Sequence, residues 1–73
     1  MNVVERNDAA KRCLAVCNEQ IARIDEELAE LGEKFFAGEI TELLVKVREL
    51  SLRERRAQHE KTRQAMLGAI KHF

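Results

Sequence analysis

Seventy-three residues with no proline, three glycines, 45% apolar and 36% charged residues make one domain, near the lower size at which a single core supports a fold. Ala, Leu, Glu, Lys and Arg dominate, which favours long helices over a sheet, and the apolar content is too high and too periodic for a disordered chain. Formal net charge is zero, so the whole molecule is no polyelectrolyte partner for nucleic acid.

The N-terminus, Met1 to Arg6, lacks a cationic start followed by an apolar core, so no secretory signal is expected. Helix one starts near Asn2, with Glu5 three residues on as an Asn version of the capping box, or later at Asn7. Ala10, Leu14, Cys17, Ile21, Ile24, Leu28, Leu31 and Phe35 then recur at alternating spacings of four and three. That spacing aligns them along one face of a helix, as in a coiled coil. Gly32 and Gly38 are both possible left-handed stops, and Gly38 is preferred because the apolar line runs past Gly32. The expected organisation is a single helical-hairpin domain over residues 1–73. Helix one covers about 3–37, the turn lies near Gly38, and helix two covers about 40–72.

Helix two carries Thr41 as a plausible cap and a shorter apolar stripe, Ile40, Leu43, Leu44, Val47 and Leu50. Ser51 to Glu54 matches a capping box, so a kink or a third helix there is the competing arrangement. A hairpin folded symmetrically about Gly38 pairs Leu31 with Val45, Ile24 with Leu52, Cys17 with His59, Ala10 with Met66 and Val3 with Phe73. It also sets Leu14, Ile21 and Leu28 against Thr62, Arg55 and Arg48. Two helices cannot bury every apolar line at once, and uncovered lines mark an interface. The fold expectation is therefore an all-α antiparallel helical hairpin that dimerises as a four-helix bundle or packs on a larger protein.

The chemistry-bearing residues are few. Cys13 and Cys17 sit four apart on one helix, poorly placed for a mutual disulfide, and reduced thiols point to a cytoplasmic protein. With His59 they give three candidate zinc ligands where four are usual, so no metal or other cofactor is expected. No phosphate loop, nucleophile elbow or metalloprotease spacing occurs, and the chain reads as non-enzymatic.

Charge is polarised along the chain, acidic from Asn18 to Glu42 and basic from Ser51 onward. Arg53, Arg55, Arg56, Lys61 and Arg63 are the candidate anion-binding residues, but no aromatic residue interleaves with them to stack on bases. Phe35 and Phe36 cannot both enter a two-helix seam, so either the pair is buried within a dimer, the preferred arrangement, or one of them is displayed as an anchor. Together with the stripe from Ile40 to Leu50 they form the candidate partner or oligomer interface. The expected function is protein–protein contact as an adaptor, a chaperone-like stabiliser or an inhibitor of a larger protein. The alternative is a nucleic-acid-binding hairpin dimer. Small bacterial or phage regulators and secretion cochaperones are similar in this layout, an analogy of architecture alone.

Overall fold

The computed structural model describes residues 3–70, which form two helices, α1 (Val3–Phe36) and α2 (Glu42–Ala69), folded back on each other. The pair makes a rod of 54 × 17 × 15 Å. The expected antiparallel helical hairpin is the observed architecture. Asn2 and Phe73, named above as a cap and a contact, lie outside the described residues.

The turn follows from local chemistry. Gly38 adopts φ 75°, a left-handed conformation that a side chain would strain. The Glu39 N–H donates to the Lys34 carbonyl at 2.9 Å and the Gly38 N–H to the Phe35 carbonyl at 3.1 Å. Those two bonds close a Schellman motif and satisfy carbonyls that the end of α1 leaves open. Gly32 stays inside α1, where the apolar line simply continues. Thr41 opens α2, its hydroxyl oxygen accepting from the Leu44 N–H at 3.3 Å.

The competing break at Ser51 is not used, and α2 runs unbroken through it. No Gly or Pro stands nearby, and the Glu49–Arg53 ion pair, one turn apart, spans the position. At the N-terminus, Asn7 lies within α1 and does not start it.

The core is thin. Ala10, Cys17, Ile21, Ile24 and Leu31 are buried on α1, whereas Leu52 is the one buried residue among the described part of α2. Ile24, Leu31 and Leu52 form the central cluster, with Leu28 and Ile40 packed against it. Among the described residues, no side chain is fully removed from solvent. Two helices side by side offer each seam residue neighbours on one flank only.

The register departs from a fold symmetric about Gly38. Leu52 packs with both Ile24 and Leu31, which sets it level with Leu28, a turn from where that symmetry would put it. Likewise Asp25 meets Arg56 at 2.9 Å, where symmetry would bring it to Ser51. The cause is the asymmetric loop. α1 ends at Phe36, but α2 does not begin until Thr41 caps it, and Ile40 drops onto the core between them.

Candidate functional site

Seven residues make close to two helical turns, so residues seven apart share a line and residues two apart lie nearly opposite. On α2 the less exposed positions are Val45, Glu49, Leu52, Arg56, His59, Arg63 and Met66, at alternating spacings of four and three. They are the seam. Three of them carry charge, so the charged residues turned toward α1 are Glu49, Arg56 and Arg63. Arg48, Arg55 and Thr62, expected beside Leu28, Ile21 and Leu14, are exposed instead. The displaced register accounts for that correction.

Leu43 and Leu50 precede Val45 and Leu52 by two positions, which puts them on the back of α2, away from α1. Leu43 is 72% exposed and Leu50 65%, with Val47 and Leu44 each more than half exposed beside them. Phe36, at 90%, is the most exposed large apolar residue of the described chain. It ends α1 at the tip of the hairpin and meets Phe35 edge-on, ring centres 6.1 Å apart. Ile40 parts company with this group, because its side chain is half-buried against the core. Of the seven candidate interface residues, six are therefore displayed to solvent and one is not. Ala57 continues the line beyond Leu50 and is also exposed. Sequence reasoning passed over it, although the seven-residue spacing of Leu43, Leu50 and Ala57 within α2 was there to be seen.

The rim of this patch is internally neutralised. Glu42 holds Lys46 at 3.3 Å, and Glu49 holds Arg53. Farther along, Arg56 donates to Asp25 across the seam and to Glu60 on its own helix. Those two carboxylates raise the guanidinium's already high pKa, hydrogen bonding to Asp25 contributing most. This strut is the one ion pair between the helices among the described residues.

The candidate anion-binding residues are thus differently placed. Arg53 and Arg56 are engaged by carboxylates. Arg55 lines an open groove between the helices whose facing wall carries Glu27 and Glu30. Lys61 and Arg63 line a shallow groove with Ala57, Glu60 and Gln64. No single uninterrupted basic surface gathers the five.

Cys17 is buried, Cys13 and His59 are half-buried, and both thiols are free. Burial pushes the Cys17 thiol above its ordinary pKa, and Cys13, close enough to hydrogen-bond with it, adds to the shift. Among the described residues, no three His, Cys, Asp or Glu side chains gather so as to hold a metal ion. No described helix is long and apolar enough to cross a membrane. No protein-family model, curated protein or solved structure matches this chain.

Proposed function

We propose that this chain is a non-enzymatic protein–protein interaction module that docks through the back of α2 and the Phe35–Phe36 tip. The observation that carries this reading is the placement of Leu43, Leu44, Val47 and Leu50 on the side of α2 turned away from α1. Four neighbouring aliphatic side chains left in water cost solvation that only a partner can recover. The exposed Phe36 ring supplies the kind of anchor that dominates binding energy at interfaces. The acidic tip and basic α2 would steer and orient the approach. Adaptor, stabiliser and inhibitor are three uses of that one surface, and dimerisation into a four-helix assembly is the simplest way to cover it. A cytoplasmic setting fits the two free thiols.

Photocrosslinking in the native cell tests the reading. A photoreactive residue at Leu43 or Leu50 should yield discrete protein adducts, and one at the exposed Arg12 of α1 should not. Equal labelling at all three positions, or none at any, would remove the surface as a docking site.

Nucleic-acid binding is the weaker reading, because the carboxylates of Glu49, Asp25 and Glu60 already occupy Arg53 and Arg56. A steep fall of RNA or DNA affinity with rising salt would restore it.

A further inference from the structure

We propose that Cys13 and Cys17 form a dithiol site for a trivalent arsenical, arsenite being the simplest ligand of that class. Placement is the first argument. The two residues lie one turn apart on α1, where side chains four positions apart are neighbours, ~5–6 Å between Cβ atoms. Cys17 is buried in the seam, Cys13 is half-buried beside it, and both thiols are free. They are close enough to hydrogen-bond with each other.

A direct bond between them has the wrong dimensions. A disulfide needs sulfurs ~2.05 Å apart and Cβ atoms ~3.8 Å apart, closer than one helical turn brings them. A single heavy atom placed between the sulfurs removes that misfit. Two bonds of about 2.3 Å, the sulfur–zinc length, suit thiols that touch without being joined.

The chemistry of the pair then selects the atom. Zinc takes four ligands in a closed site, and among the described residues no third His, Cys, Asp or Glu joins these two. Copper(I) is a soft ion that two thiolates satisfy, but the product carries a negative charge and its linear geometry drives the sulfurs apart. Every influence resolved on Cys17, burial first, holds that thiol protonated, so a neutral product is favoured there. Trivalent arsenic is pyramidal and keeps two sulfurs on one side, in contact. Its condensation with the pair is also neutral. Two arsenic–oxygen bonds of arsenite break and two arsenic–sulfur bonds form. Each thiol proton leaves on a hydroxide as water, and arsenic stays trivalent throughout. The third hydroxyl needs no protein ligand, and half-buried Cys13 is the point of entry.

Titration of the full chain with sodium arsenite, the thiols kept reduced by a phosphine, tests the site. Intact mass should show one arsenic per chain, and both thiols should stop reacting with an aromatic disulfide reagent. The urea midpoint should rise while helicity by circular dichroism is kept, because the ligand binds the folded helix. Cys13→Ser and Cys17→Ala should each weaken binding by at least about 100-fold through loss of the chelate. Mass and thiol protection are read on the unmodified chain, so they decide the matter even where a variant does not fold. Two arsenic atoms per chain, or single-thiol variants that bind as tightly as the parent, would overturn the chelate. Loss of helicity on binding would overturn a site preformed on α1, and no adduct at millimolar arsenite would overturn the site altogether.

Discussion

α1 and α2 use their apolar residues in opposite ways. On α1 the regular line from Ala10 to Leu31 faces the other helix, and Ala10, Cys17, Ile21, Ile24 and Leu31 are buried. On α2 the densest aliphatic group, Leu43 to Leu50, faces out, while Glu49, Arg56 and Arg63 share the seam with Leu52. Hydrophobicity alone would turn α2 about its axis. It does not turn because the Ile40 and Leu52 contacts and the Asp25–Arg56 strut hold one face inward. The lesson is that a helix can be positioned by a few side chains while most of its apolar surface is left for another purpose.

The largest effect expected from breaking this asymmetry is at Ile24. Ile24→Asp removes a central core side chain and buries an unpaired carboxylate, costing about 4 kcal/mol, and should abolish the helical signal in circular dichroism. Leu43→Asp on the other face should leave a folded chain. If both variants unfold, or neither does, the two faces are not distinct. Next comes the turn that sets the register. Gly38→Ala forces a side chain into φ 75° and should cost about 1 kcal/mol, read as a lowered urea midpoint with an unchanged slope. Thr41→Ala removes the α2 cap, with a cost of about 1 kcal/mol and fraying visible as faster amide exchange at Leu44.

The smallest effect concerns the thiols and sharpens where the seam lies. Cys17 is buried with a raised pKa, so at neutral pH it stays protonated and should label with an aromatic disulfide reagent well after the half-buried Cys13. Equal rates would mean that the Cys17 stretch of the seam is open.

Much of this was legible in the residues. The four-and-three spacing of the α1 line fixes which face of that helix is inside, and Gly38 and Thr41 mark the turn because each has a conformation or bond that few other residues supply. The seam of α2 was not legible in the same way. Its positions carry Glu49, Arg56, His59 and Arg63, and a charged residue at a heptad position looks like a solvated one until its partner across the seam is known. The five-residue connection from Ala37 to Thr41 hid the register, since nothing in its composition says that Ile40 will pack inward. The displayed residues Leu43, Leu44, Val47 and Leu50 were identifiable as surplus apolar surface. Their exclusion from the hairpin's own core depended on that register.

Nuclear Overhauser contacts between methyl groups, filtered to those within one chain, examine the outward turn of α2 most directly. Leu52 should show contacts to Ile24 and Leu31, and Leu43, Val47 and Leu50 should show none to any residue of α1. Contacts from Leu50 or Val47 to Ile24, Leu28 or Leu31 of the same chain would mean that α2 packs through its aliphatic face, leaving no surplus surface to dock anything.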